Sequence, residues 1–360
     1  MKMRFKTVVS VILVLCMLMV LTIGCGAQTP QEKPKEDSAA AGSKAESAAP
    51  AAETKAAAEA PKTADKKDIT VGLVIGNLFM TWMQYASEGA KKAAADAGVK
   101  LTVYDAENKV DKQTSLIENL ISQKVDGILT NAIEVKALVP ALEAADKAGI
   151  PLVTFDRRCE GAPYFAHVGS DDVLGGKLIA DYIAKNLNGK GRVIELIGAL
   201  GASPTIDRGK GFHEEIAKYP DIKVVFSQSG KFEREAGMRV MEDAINAVGA
   251  KNFDALFSHN DDMMMGALQA MKDAKIDYKK LVTISYDGIP DELKAIQDGE
   301  LKATLQYPVG QAAKAMNILI SYLKDGTKPE KKDDKIDPWI ITKDNLNSGD
   351  FYPELAKMKK

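Results

Sequence analysis

The chain has 360 residues, with 48 Lys plus Arg against 50 Asp plus Glu and a formal net charge of −2. That length exceeds what one hydrophobic core usually organises and predicts two domains. Balanced charge, with no long basic stretch in the folded part, argues against a nucleic acid partner, which needs runs of phosphate neutralised.

At the amino terminus Lys2, Arg4 and Lys6 precede an apolar stretch from Val8 to Val20 that runs on to Ile23, the layout of a targeting segment. It is shorter than the about 20 residues of a membrane-spanning helix. The Gly24-Cys25-Gly26 ending resembles the cleavage box of bacterial lipoproteins, in which the Cys is lipidated. Thr22 stands where that box prefers Leu, with Leu21 displaced by one; an ordinary signal peptide or an uncleaved anchor is the competing reading. Residues 1–24 are thus expected to be a signal peptide and Cys25 a membrane anchor. From Ala27 to Lys67 the composition is Ala, Glu, Lys, Ser, Thr and Pro. Such a stretch cannot offset its ordering entropy, so residues 25–67 are expected to be a tether. Once the signal is cleaved and Cys25 lipidated, Cys159 has no thiol to pair with, and the fold must rest on its core.

From Asp68 onward strands and helices alternate. Strands are expected at Ile69–Ile75, Lys100–Tyr104, Gly127–Thr130, Leu152–Phe155, Val193–Ile197, Lys223–Ser227, Ala255–Phe257 and Val282–Ser285. Helices are expected near Trp82–Ala97, Gln113–Gln123, Val135–Ala148, Val173–Asn186, Asp207–Tyr219, Glu233–Val248, Asp261–Ala274 and Asp291–Asp298. This spacing predicts βαβ units and parallel sheets, and the number of strands predicts two lobes that break at His167–Asp172. Ala303–Gln306 and Trp339–Thr342 have no following unit of equal size and read as further crossings.

Three strands share one pattern at their ends. Leu152 to Phe155 breaks into Asp156, Arg157 and Arg158; Leu256 to His259 ends in Asn260, Asp261 and Asp262; Val282 to Tyr286 ends in Asp287. In open α/β sheets ligands bind at the carboxyl ends of strands, so these tips are expected to build one site.

The folded part resembles the bacterial periplasmic sugar-binding proteins of the ribose and galactose type, receptors for ABC importers. The matching stretches are Val153 to Arg157, Val168 to Gly176, Ile206 to Phe212, His259 to Met263 and Ser285 to Gly288. Gly201 to Phe212, with Ser227 to Phe232, looks closest to the branch that includes galactofuranose binders. The resemblance implies an α/β fold of two doubly wound parallel-sheet lobes, of the type I periplasmic binding protein, joined by crossings near Ser170, Gln306 and Asp337. One lobe would then hold residues 68–169 and 307–336, the other residues 170–306 and 337–360. Its ligand contacts, carried over by position, would be Trp82, Asp156, Arg157, Arg208, Phe232, Asn260, Asp287 and Gln306. Phe79 to Met83 departs from the ribose pattern, so the sugar is not specified.

The implied partners are a monosaccharide, an ABC transporter permease and the membrane through Cys25, for a monomer at the outer face of the cell membrane or in the periplasm, with no cofactor and no metal. Rings such as Trp82, Phe232 and Tyr286 suit the C–H faces of a sugar, while Asp, Asn, Gln and Arg suit its hydroxyls. The paired acids leave open a glycoside-acting enzyme, and the fold a sugar-sensing receptor component. No nucleophilic triad or metal-spaced cluster stands out, because His167, His213 and His259 are scattered singly. Asp261 and Asp262 are expected to cap the helix that follows Asn260.

Overall fold

A computed structural model describes residues 68–346. The expected signal peptide (1–24), the tether (25–67) with Cys25, and residues 347–360 lie outside the described residues. The strands are β1 (Thr70–Ile75), β2 (Lys100–Asp105), β3 (Gly127–Thr130), β4 (Leu152–Phe155), β5 (Ala166–Ser170), β6 (Lys190–Ile197), β7 (Asp221–Ser229), β8 (Ala255–Ser258), β9 (Val282–Asp287), β10 (Ala303–Gln306), β11 (Asp333–Ile336) and β12 (Trp339–Thr342). The helices are α1 (Thr81–Asp96), α2 (Val110–Ser122), α3 (Val139–Lys147), α4 (Asp172–Asn186), α5 (Ser203–Ile216), α6 (Arg234–Val248), α7 (Asp261–Asp273), α8 (Pro290–Gln297) and α9 (Gly310–Asp325).

Two six-stranded sheets result, ordered β11-β5-β4-β3-β1-β2 and β12-β10-β9-β8-β6-β7. Every strand pair is parallel except β10 with β12. The inner strands β3, β4 and β8 are buried along their whole length, which is why they read as unbroken apolar runs rather than alternating ones. Helix α9 packs against β3, β4, β5 and α1 of the first sheet, and α4 against α5, β9 and β12 of the second. The chain therefore passes between the sheets three times, after β5, β10 and β11.

Four elements depart from the sequence reading. The chain leaves the first sheet within His167–Asp172, as expected of a break, but Ala166–Ser170 forms an unexpected strand, β5, that extends that sheet. Ala303–Gln306 is followed by a full unit after all: α9 buries Gln311, Ala312, Ala315, Met316, Leu319 and Ile320, a helical spacing, and leads into β11. Strand β11 is Asp-Asp-Lys-Ile on an open edge, where charge discourages pairing with another chain and hides the usual strand signature. Helix α5 begins at Ser203, with Pro204 in its first turn, four residues before the expected Asp207.

Glycines set the closest helix contacts. A Cβ on Gly176 of α4 would overlap the carbonyl oxygen of Arg208 and lie 2.7 Å from the Phe212 nitrogen, and one on Gly211 of α5 would overlap the Val173 carbonyl. Gly237 of α6 and Gly266 of α7 meet in the same reciprocal way. Backbone thus packs on backbone, which holds Arg208 at a fixed height above the second sheet. Gly176→Ala and Gly211→Ala should each destabilise the protein by about 1–3 kcal/mol or more in urea unfolding. Gly310→Ala, where an added Cβ meets nothing within 4 Å, should stay within about 1 kcal/mol of wild type.

Candidate ligand-binding site between the lobes

The strand tips end in unusual backbone. Asp156, Phe232 and Asp287 have φ of 57°, 66° and 125°, a left-handed region that costs a non-glycine residue about 1–3 kcal/mol. Neighbouring backbone holds two of these turns: the Asp156 amide donates to the Val168 carbonyl at 2.9 Å, and the Tyr307 amide to the Asp287 carbonyl at 3.0 Å. The side chains of all three are thereby turned toward one cavity of about 260 Å³. Met80, Trp82, Met83, Asp156 and Arg157 line it from the first lobe, Pro204, Arg208, Phe232, Asn260 and Asp287 from the second, and Tyr307 from the crossing after β10.

Seven of the eight residues expected from sequence line this cavity; Gln306 does not. Gln306 is half-buried in β10, between Asp287 and Trp339 in the sheet register, and its neighbour Tyr307 reaches the cavity instead. The Tyr307 hydroxyl donates to Asp156 Oδ1 at 2.8 Å, and its carbonyl accepts from Trp82 Nε1 at 2.9 Å. The ring of Tyr286, expected against ligand, instead packs 3.7 Å from the Arg208 guanidinium outside the cavity lining. The signal for Tyr307 was its position, one residue past a strand tip. Met80, Met83 and Pro204 carried no such mark.

Arg208 is 2% exposed and lies between the rings of Tyr286 and Tyr307, the latter at 4.6 Å. Its Nε donates to Asp172 Oδ1 at 2.9 Å and its Nη1 to the His259 carbonyl. Burial opposes the charge, but Asp172, Tyr286, Tyr307 and Asp287 together outweigh it and keep the guanidinium protonated. Removing Arg208 would leave Asp172 buried without its counter-charge, so this residue holds the lobe together as well as facing the cavity. Arg157, also 2% exposed, is less engaged: Nη1 donates to the Ile133 carbonyl at 3.3 Å, and Asp156 Oδ2 is 3.7 Å from Nε. Asp287 is buried 3.9 Å from Arg208, and its Oδ2 has no hydrogen-bond partner among the described residues. Burial pushes its pKa well above the ordinary carboxylate range. Burial also raises Asp156, against the pull of Arg157 and the Tyr307 hydroxyl. Asn260 caps α7 by accepting from the Met263 amide at 3.0 Å, and its Nδ2 donates to the Phe232 carbonyl at 3.3 Å. Arg158 and Cys159 face away, into a second cavity that shares Asp156 as a wall.

A buried layer supports these tips. Asp261 accepts from the amides of Gly288 and Ile289 at 2.7 and 2.8 Å, and from Thr304 Oγ1 at 2.7 Å, fixing the turn that follows Asp287. It does not cap its own helix as expected. Ser285 Oγ lies 2.6 Å from Asp261 Oδ1 and 3.0 Å from Glu292 Oε1. One hydroxyl proton cannot serve two carboxylates at once, and burial together with the charge of Asp261 favours the protonated form of Glu292. The histidines are not all scattered: His213 and His259 each sit 3.2 Å from the buried Glu195. Although burial opposes its charge, hydrogen bonds from both imidazoles hold Glu195 below the ordinary carboxylate range.

The proton on Glu292 has a stability consequence. Its carboxyl is raised by burial and by the charge of Asp261 above the 4.5 of an ordinary glutamate. The stabilisation is complete below the unfolded value and is lost as pH rises toward the folded one. Glu292→Gln keeps a donor for Ser285 and cannot ionise, so its unfolding free energy should fall less than that of wild type between about pH 5 and pH 8.

The periplasmic binding protein domain family matches residues 51–328. The galactofuranose-binding protein YtfQ of Escherichia coli (strain K12) is 37% identical over 298 residues, 81% of this chain and 92% of that protein. The ribose import binding protein RbsB of Bacillus subtilis (strain 168) is 38% identical over 248 residues, 69% of this chain and 79% of that protein. Among solved structures, a galactofuranose binding protein superimposes with a TM-score of 0.76 at 36% identity, covering 81% of this chain and 98% of its own. All three are binding proteins rather than enzymes. The two parallel-dominated α/β sheets are those of the type I fold, and the chain belongs to the periplasmic binding protein family, as a solute-binding protein.

Proposed function

We propose that this protein captures one monosaccharide in the cavity between its lobes and delivers it to an ABC importer. The observation that carries this reading is the unmatched hydrogen-bonding capacity facing the cavity: an unpartnered carboxylate oxygen on Asp287 opposite a weakly engaged fork on Arg157. A polyhydroxyl ligand supplies donors to the first and acceptors to the second. The rings of Trp82, Phe232 and Tyr307 also line the cavity, which suits the C–H faces of a sugar. Relatives named for galactofuranose and ribose favour a pentose or hexose able to take a furanose form. Asp156, Arg157, Arg208, Asn260 and Asp287 would bind its hydroxyls, with Tyr307 taking the place carried over to Gln306.

The lobes, assigned as residues 68–169 with 307–336 and 170–306 with 337–360, would part and close about the three crossings. Lipidation at Cys25, after cleavage of residues 1–24, would hold the monomeric receptor at the outer face of the membrane on the tether 25–67. The basic and apolar residues ahead of Gly24-Cys25 support that placement.

Calorimetric titration with D-galactose, L-arabinose and D-ribose should give saturable one-to-one binding of at least one sugar. Asp287→Ala should weaken it about tenfold or more, the worth of a hydrogen bond to a charged group. Small-angle scattering should show contraction at saturation; no binding across the three sugars, or unchanged dimensions, would sink the corresponding half of the reading. Metabolic labelling with a radioactive fatty acid should mark wild type and not Cys25→Ser, and equal labelling would refute the anchor.

A further inference from the structure

Helix α1 is capped from the opposite lobe. Its own N-cap residue, Met80, offers no side-chain acceptor, and its first turn contains no acid. The Thr81 amide and hydroxyl donate instead to Asp262 Oδ2 and Oδ1, at 3.1 and 3.2 Å. Asp262 stands in the first turn of α7, on the second sheet's side of the cavity, and is 6% exposed. Its Oδ1 also accepts from Arg234 Nη2 at 3.0 Å, and Arg234 reaches Asp291 Oδ2 at 2.9 Å. Thr81, Asp262, Arg234 and Asp291 all lie outside the cavity lining.

We propose that Asp262 is a closure latch, a residue that sets sugar affinity by capping α1 across the cleft in the closed form without touching the sugar. The proposal rests on the closure reading above. When the lobes part, Asp262 keeps Arg234 and is not left as a buried unpaired charge, while the α1 amides pass to water. The difference between the two forms is then the carboxylate at the positive end of a 16-residue helix. Other polar contacts between the lobes lie elsewhere, among them the Val135 amide on the Gly201 carbonyl at 3.1 Å, the Arg158 amide on Ser203 Oγ at 3.1 Å, and Arg158 with Asp207. The Arg158 side chain is 34% exposed, so water screens its ion pair far more than it screens Asp262. Apparent affinity scales with the fraction of protein in the competent form, so a contact made only on closure appears directly in Kd.

Thr81→Pro tests this cleanly. Thr81 is the first residue of α1, where proline is favoured, and Met80 is already extended at φ −76°, ψ 131°, as a residue before proline requires. The substitution removes both donors to Asp262 and leaves the helix and cavity intact. Full-length wild type, Thr81→Pro, Asp262→Ala and the double variant are titrated with D-galactose, L-arabinose and D-ribose, and dissociation is followed by stopped flow. Thr81→Pro should bind about tenfold more weakly, through faster dissociation, with the melting temperature of the sugar-free protein unchanged. Asp262→Ala should add nothing to that loss in the double variant. Wild-type affinity in Thr81→Pro, or losses that simply add, would overturn the latch and leave the sugar assignment standing. Absence of binding to all three sugars in wild type would overturn both together.

Discussion

A guanidinium sealed away from water is the fixed point of the second lobe. Arg208 is reached by four separate parts of the chain: Asp172 from α4, the His259 carbonyl past β8, Tyr286 from β9 and Tyr307 from the crossing after β10. An ion so buried is tolerable only when its hydrogen bonds and counter-charge are supplied in place. That requirement explains why α4 and α5 must pack with backbone against backbone at Gly176 and Gly211, since any greater separation would pull Asp172 off Arg208. Packing of the helices and electrostatics of the site are here one constraint.

The first lobe solves a different problem. Asp156 is satisfied by Tyr307 and Asn131, the latter at 3.1 Å, and Arg157 lies over the Phe232 ring at 5.5 Å with little else to bond. Each lobe therefore presents one group already satisfied, Asp156 or Arg208, and one more loosely held, Arg157 of the first lobe and Asp287 of the second, whose remaining capacity points inward. A neutral solute rich in hydroxyls meets both needs, whereas an ion would upset a balance already struck between two guanidiniums and the carboxylates around them.

Much of this was legible in the sequence because a buried parallel strand ending in charge is a conspicuous pattern. Asp156, Arg157, Asn260 and Asp287 were found that way, and Trp82, Arg208 and Phe232 came only with the family resemblance. What escaped had no local signature. Strand β5 carries His167 and Gly169, and β11 is mostly charged, so neither shows apolar periodicity. Tyr307 follows its strand as Asp156 follows β4, but an aromatic residue there reads as core. The partnership of Glu195 with His213 and His259 joins residues 18 and 64 positions apart in the chain, and Asp262 with Thr81 joins residues 181 apart. Distances of that kind are set by tertiary packing alone.

Tyr307 occupies two places in the structure at once. It is a wall of the cavity, and it sits on a segment by which the chain passes from one sheet to the other, tied to Asp156 and Trp82 of the first lobe. A change there alters both the shape of the cavity and the packing of the segment that joins the two sheets. Met80, Met83 and Pro204 face the same space without that entanglement. Substitutions at those three positions reshape the cavity without reaching the crossing, whereas at the tyrosine shape and connection change together.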